Sequence, residues 1–254
     1  MQSERVTITV LTATLNAGQY LPDLIESLKK QTDADFQWVV FDGNSTDTTF
    51  ALLSEAQQAL SVRILQARDF GIYDALNRGL EYVDTNYYVV VGADDCLSPE
   101  AIQMYRQTAL LAGMPDFVAA SVRVRDKIQF PRFNQGWRYA MSGVSSCHSV
   151  GLLIKRSLHA RFGMYSHRLP IAADQLFVKS ALAGGASISR ERFIAGTFAT
   201  TGTSETDTIG VLTEVFRVQL ATERYKSLQY LLFLLRILRH AVRYGIHRIG
   251  SNRI

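Results

Sequence analysis

Cysteine is scarce in this chain of 254 residues: Cys96 and Cys147 are the only two. They fit neither a disulfide framework nor a zinc site, and such usage suits a reducing cytosol. Long apolar runs are also missing; none reaches the roughly 18 residues that a spanning helix needs. The opening MQSERVTITV carries charge and enters a strand pattern, so no signal peptide is expected. Gly-rich phosphate cradles are absent as well. No G-x-G-x-x-G follows the first strand pattern and no G-x-x-x-x-G-K-[ST] occurs, which removes the main support for a dehydrogenase or a P-loop enzyme. A composition of 47% hydrophobic and 20% charged residues excludes a disordered chain. The length admits one large α/β domain with an appendage, or two small domains. The net charge of +4, with basic residues thickening towards the C-terminus, admits an anionic partner: nucleotide, membrane or nucleic acid.

What is present centres on Asp69–Asp95, DFGIYDALNRGLEYVDTNYYVVVGADD. A turn at Asp69-Phe70-Gly71 leads into a helix pattern with Leu76, Leu80 and Val83 on one face. A strand pattern at 87–91 follows and stops on Gly92-Ala93-Asp94-Asp95. Adjacent carboxylates at the carboxyl end of an apolar strand stand where open α/β sheets bind ligands. Their repulsion calls for a hard cation or a polar ligand between them, or else they form a solvated turn before the helix start at Ser98-Pro99-Glu100.

Upstream, strands are expected at 6–11, 36–41 and 62–65, with helices after the first (Leu21, Leu24, Ile25 and Leu28 on one face) and over 48–60. The first strand leads to a polar turn, Thr12 to Gly18, and the second to Asp42-Gly43-Asn44-Ser45-Thr46-Asp47. Alternating strands and helices predict an α/β fold with a doubly wound, mostly parallel sheet flanked by helices. Acidic or Thr/Asn-bearing loops then share one edge, where a nucleotide site is expected. With acids rather than glycines there, a divalent cation has to offset a diphosphate's charge.

Four segments carry a resemblance: Thr12-Ala-Thr-Leu-Asn16, Asp42-Gly-Asn-Ser-Thr-Asp47, Gly71-Ile-Tyr-Asp-Ala-Leu-Asn-Arg-Gly79 and Ala93-Asp94-Asp95. In order and approximate spacing they resemble family 2 glycosyltransferases of the GT-A fold, in particular bacterial enzymes building exopolysaccharide, colanic acid or O-antigen units. The resemblance extends over residues 6 to about 205. It implies that Asp42 hydrogen-bonds the nucleobase, that Ala13, Thr14 and Leu15 lie under the base, and that Asp69 sits near the donor. It further implies Asp94 near the ribose and Asp95 as ligand to Mn²⁺ or Mg²⁺. One departure is Leu15, where the family often has an aromatic residue, so apolar contact must replace stacking. Asp42 read alone is a turn-capping residue.

The second half carries the acceptor. Strands are expected at 116–125, 127–130 and 150–154, with 133–141 as a cleft-lining loop. Trp137 there is either a sugar-holding aromatic or a core plug. The resemblance places His148 near the donor phosphate and metal; a lone His before a strand is otherwise structural. It makes Asp174, at a helix start, the catalytic base, although an Asp there also serves as a dipole cap whose pKa the helix lowers. The Gly/Ser/Thr-rich 198–208 reads as a mobile loop over the donor or as a linker.

The implied reaction is single displacement with inversion: an acceptor hydroxyl attacks a nucleoside-diphosphate sugar while Asp174 takes its proton. The acceptor is expected to be a saccharide, lipid-linked. Rival readings are a non-catalytic nucleotide-sugar binding protein, a nucleotidyltransferase, and a nucleic-acid binder, the last resting on basicity alone. The expected division is residues 1–205 for catalysis and 206–254 for a C-terminal amphipathic helical tail. In the tail Leu231, Leu234, Leu235, Leu238, Val242 and Ile249 share one face, and Arg236, Arg239, His240, Arg243 and His247 another. That pattern predicts a helix lying in an anionic membrane interface, at about 1 kcal/mol per basic residue, or one packed on protein. The expectation is a cytoplasmic enzyme, peripheral on the inner-membrane face, without nucleic acid.

Overall fold

The computed structural model describes residues 5–132, 136–146, 148–200 and 207–251, with the side chains of 142 and 243–251 outside that description. Its first strand, β1 (Ile8–Thr14), runs parallel to β2 (Gln37–Asp42) in a register from Thr9↔Gln37 to Thr14↔Asp42. Residues 12–14, expected as a polar turn, continue the strand. Their hydroxyls are satisfied across the pair: Trp38 Nε1 donates to Thr12 Oγ1 at 3.0 Å and Thr14 Oγ1 donates to Asp42 at 2.8 Å. β-Branched side chains dominate this strand and suit its burial.

The remaining strands are β3 (Val62–Gln66), β4 (Tyr87–Val90), β5 (Cys96–Leu97), β6 (Phe117–Val124), β7 (Lys127–Gln129), β8 (Leu152–Lys155) and β9 (Ile188–Phe198). The sheet order is β3-β2-β1-β4-β8-β6-β9-β5, with β7 on β6. Pairing is parallel over β3-β2-β1-β4 and between β6 and β9, and β8 enters antiparallel to both its neighbours. Two-residue β5 was not expected; it pairs antiparallel with Gly196 and Thr197 of β9 and ties that strand to the stretch just after Asp95.

Helices cover both faces. On one side, α1 (Leu21–Lys29), α2 (Thr49–Ala56) and α4 (Ala101–Leu111) bury Leu24, Leu53 and Tyr105 against Ile8 and Val10 of β1. On the other, α3 (Ile72–Leu80), α6 (Leu158–Phe162) and α7 (Ala173–Ala183) pack Leu76, Leu158 and Phe177 against Leu11 and Val39. Alternation along β1 thus feeds two cores, as a doubly wound sheet requires.

The stretch expected as a loop over 133–141 contains a short helix, α5 (Gly136–Tyr139), followed by a 3-10 turn, Ala140–Gly143; residues 133–135 lie outside the described residues. The strand expected at 150–154 begins at Leu152, after a 3-10 turn at Ser149–Gly151. Of the loop expected over 198–208, β9 claims Phe198, and 201–206 lie outside the described residues.

Two helices end the chain, α8 (Thr208–Thr222) and α9 (Lys226–Ser251). α8 joins the second core through buried Val218. α9 turns Gln229, Leu232, Phe233 and Arg236 towards the body, with Phe233 stacked on Phe216 of α8 at 4.3 Å between ring centroids. Gln229 is buried, Arg236 Nη1 donates to Gln219 Oε1 at 2.7 Å and Arg236 Nη2 donates to the Arg138 carbonyl. Leu231, Leu234, Leu235, Leu238 and Val242 are exposed on the opposite side. The amphipathic pattern stands, but Arg236 faces the protein rather than solvent. Arg243, His247 and Ile249 fall outside the described side chains.

Candidate active site

The carboxyl ends of β1 to β4 meet at one edge, and their loops are bound to one another. Asn16 Oδ1 accepts from Thr46 N at 2.9 Å, and Asn16 N donates to Ser45 Oγ at 2.8 Å, which joins the loops after β1 and β2. Asp42, wholly buried, accepts from Thr14 Oγ1, Ser45 N, Ser45 Oγ and Gln66 Nε2. Its acceptor capacity is filled from within the protein, so it fixes the edge, and any contact with a base requires exchanging one of these partners.

The loop after β3 closes on the same place. A Cβ on Gly43 would collide with the Asp69 carboxylate and touch Leu15 Cδ1 at 3.4 Å, so Gly43 allows Leu15, Asp69 and the β2 turn to converge. Leu15 is exposed, and Phe70, next to Asp69, is 88% exposed. Ala13 is half-buried in β1 and packs against the second core.

After β4, Asp94 and Asp95 fold over Gly92. A Cβ there would lie 2.8 Å from Asp94 Oδ1 and 3.0 Å from Asp95 Oδ2. Asp95 is buried and accepts from Gly92 N at 3.2 Å and Ala199 N at 2.9 Å. Burial, helped by the Asp94 charge and opposed by those two amides, pushes the Asp95 carboxyl up to about 7. The His148 ring lies tilted by 30° against Phe198, with ring centroids 3.9 Å apart, one residue before Ala199, and burial pushes the His148 pKa down to about 4. It reaches the neighbourhood of Asp95 through β9. Among the described residues no three His, Cys, Asp or Glu side chains form a metal-holding group.

Asp174 comes to this edge through α3. Tyr73, in the first turn of α3, donates from its hydroxyl to Asp174 Oδ1 at 2.8 Å and lies 2.9 Å from the Ile171 carbonyl. One turn on, Asn77 holds the Tyr165 backbone at both ends, with Nδ2 donating to Tyr165 O and Oδ1 accepting from Tyr165 N, each at 2.9 Å. From α8, buried Glu214 Oε2 accepts from Ile171 N and Ala172 N, both at 2.9 Å, and so holds the two residues that lead into α7. The expected lowering of the Asp174 pKa is reversed. Burial raises it and Glu214 adds to the rise, outweighing the Tyr73 hydroxyl and the first-turn amides.

Tyr73, Asn77 and Glu214 were not read as functional from sequence. A signal existed: Tyr73 and Asn77 are polar residues four apart on the apolar face of α3, and Glu214 is a single acid inside Ile209-Gly-Val-Leu-Thr-Glu-Val-Phe. Trp137 is not a core plug, being 44% exposed, and it is held by other elements. Its carbonyl accepts from Gln219 Nε2 at 2.9 Å and Gln229 Nε2 at 3.1 Å.

A doubly wound sheet with acid-bearing loops at one edge and an antiparallel strand inserted beside β4 is the arrangement of the GT-A fold. Residues 9–166 match the family described as Glycosyl transferase family 2, and the chain belongs to that family. It is 29% identical over 190 residues to a PGL/p-HBAD biosynthesis glycosyltransferase of Mycobacterium bovis, covering 72% of each chain. It is similar in fold to S. aureus TarS 1-349 in complex with UDP-GlcNAc (TM-score 0.68, 17% identity, 92% of this chain and 72% of that one). The same holds for the mannosyltransferase PcManGT of Pyrobaculum calidifontis in complex with GDP-Man and Mn²⁺ (TM-score 0.67, 19% identity, 85% and 64%). No helix among the described residues is long and apolar enough to cross a membrane.

Proposed function

We propose that this glycosyltransferase is inverting and metal-dependent, and that it moves a sugar from a nucleoside diphosphate to a lipid-linked saccharide acceptor in bacterial cell-surface glycan synthesis. The observation that carries the reading is the Tyr73–Asp174 hydrogen bond. It brings a carboxylate from residue 174 to the edge that already holds Asp42, Asp69, Asp94 and Asp95. Residues 1–205 form the catalytic unit, and 206–254 the helical tail, which holds the lead into α7 through Glu214.

In this reading Leu15 and Asp69 receive the nucleoside, and Asp42 reaches the base by exchanging one of its four internal partners. Asp94 and Asp95 hold Mn²⁺ or Mg²⁺, which when bound offsets the negative charge of the diphosphate. The donor set fits such an ion: two carboxylates crowd one glycine, and Asp95 is buried with a carboxyl that a cation would ionise. Support for a divalent ion comes from the Mn²⁺ in the PcManGT complex. His148 remains a candidate neighbour of that ion through Phe198 and Ala199. Asp174 accepts the acceptor hydroxyl's proton as the new bond forms, a moment at which a carboxylate suffices. Its raised pKa strengthens it as a base, and Tyr73 holds the carboxylate in place.

The outward leucine side of α9 supports a peripheral membrane position on the cytoplasmic face, in contact with anionic lipid. Purified protein with Mn²⁺ and a panel of nucleoside-diphosphate sugars tests the enzyme reading by nucleotide release. Asp174→Asn should keep donor binding and lose roughly 10²–10⁴-fold in turnover. Asp95→Ala should lose both donor binding and turnover. Wild-type turnover by Asp174→Asn would remove Asp174 as the base.

A further inference from the structure

Between α5 and the α8–α9 turn lies a cavity of about 400 Å³ lined by Trp137, Glu223, Arg224, Tyr225, Leu228 and Gln229. Its walls are mainly apolar, and none of the residues at the catalytic edge lines it. Two aromatic rings stay open to solvent beside it: Tyr225 is 66% exposed and Trp137 is partly so. The charges at the cavity are not balanced. Lys179 of α7 pairs with the Glu223 carboxylate, and Arg224, over the Tyr225 ring at 5.7 Å, remains exposed, as does Lys226. The rim is therefore cationic.

The cavity also opens at the root of the leucine side of α9. Leu228, Leu231 and Leu235 follow at i, i+3 and i+7, so Leu228 borders that side and lines the cavity at once. Trp and Tyr rings combined with cations and an adjoining apolar ridge are the composition of a lipid–water boundary. The floor is rigid, because three consecutive α5 carbonyls are captured from three helices. Lys179 Nζ donates to Gly136 O at 3.3 Å, Gln219 and Gln229 donate to Trp137 O, and Arg236 donates to Arg138 O.

We propose that this cavity binds one anionic amphiphile, with its apolar chain between Trp137 and Leu228 and its phosphate at Arg224. The site seats the lipid part of the acceptor where α9 meets the bilayer, and it rests on the reading that the acceptor is lipid-linked.

The chain supplies its own reporter. Its two tryptophans are Trp38 and Trp137, and Trp38 is wholly buried. Fluorescence of the full chain is titrated with dodecyl phosphate below its micelle-forming concentration, with inorganic phosphate and dodecyl maltoside in parallel. A saturable change is expected with dodecyl phosphate, a weaker one with the maltoside and none with inorganic phosphate. Leu228→Asp and Tyr225→Ala should each weaken the dodecyl phosphate response by roughly tenfold or more, and Trp137→Phe should abolish it. An equal response to inorganic phosphate, or one unmoved by both Leu228→Asp and Tyr225→Ala, overturns the site. Pelleting on vesicles with and without anionic lipid separates the two readings. Pelleting without a dodecyl phosphate response removes the cavity and leaves the membrane reading, whereas a response without pelleting does the reverse.

Discussion

The Tyr73 hydroxyl lies 2.8 Å from Asp174 Oδ1, across 101 residues of sequence. The pair couples the helix that follows the turn at Asp69–Gly71 to the helix that carries the proposed base. Burial raises the pKa of Tyr73, and the Asp174 charge raises it further, so the phenol keeps its proton and donates.

Tyr73→Phe should therefore raise the Asp174 pKa again, because it removes a hydrogen bond made to the ionised carboxylate. The acid limb of the kcat/KM profile moves to higher pH, and neutral-pH turnover falls by roughly tenfold, the scale of one charge-assisted bond. Donor affinity measured by calorimetry stays unchanged. An unmoved profile would show that Asp174 does not set that limb.

Glu214→Gln acts in the opposite direction. Its oxygen can still accept from Ile171 N and Ala172 N, but the negative charge that raises the Asp174 pKa is gone. The acid limb should move to lower pH with little change in melting temperature. Glu214→Ala orphans the buried Ala172 amide and the partly buried Ile171 amide, and should cost about 1–3 kcal/mol for the former and less for the latter. A purely structural role predicts no shift for the Gln variant.

Phe70 stands beside Asp69 almost wholly in solvent, where its burial cannot stabilise the fold. It can offer the aromatic face that Leu15 lacks. Phe70→Ala should leave the melting temperature in place and weaken nucleotide binding by roughly tenfold, within the ~1–3 kcal/mol that stacking on a base is worth. Unchanged affinity would leave Leu15 as the base contact.

His159 makes a stability prediction. Its Nδ1 faces the Gly163 carbonyl at 3.0 Å, so that nitrogen donates and Nε2 accepts from Tyr88 Oη at 2.7 Å. Burial holds its pKa below the ordinary value of 6.5. The folded state thus takes up this proton later than the unfolded chain. The contribution is complete above pH 6.5 and is lost as pH falls towards the folded pKa. Thermal melts between pH 7 and 5 should fall more steeply for the wild type than for His159→Gln; parallel curves would refute this.

Much of the sheet was legible because burial writes itself into composition. The apolar runs at β2, β3 and β4 and the helical spacing of Leu21, Leu24, Ile25 and Leu28 led directly to elements. β1 was cut short because Thr12 and Thr14 look like turn residues until Trp38 and Asp42 supply their partners. β5 is two residues long and exists only through β9. The carboxylates of the edge were readable as strand-end acids. Glu214 was not, since its partners are backbone amides more than 40 residues away, and no side-chain pattern records those. The direction of the Asp174 pKa likewise depends on burial that a first-turn position does not reveal.

The mounting of α9 makes rotational phase, rather than residue identity, the property its sequence must keep. Gln229 and Arg236 face the body while Leu231, Leu234, Leu235 and Leu238 face away. Each residue advances a helix by about 100°. Exchange of one leucine for another apolar residue therefore preserves the arrangement, whereas one residue inserted after Gln229 swings the whole ridge about a quarter turn out of register with the α5 carbonyls. Tails of related chains should accordingly exchange the outward leucines for other apolar residues and resist insertions that are not close to whole turns.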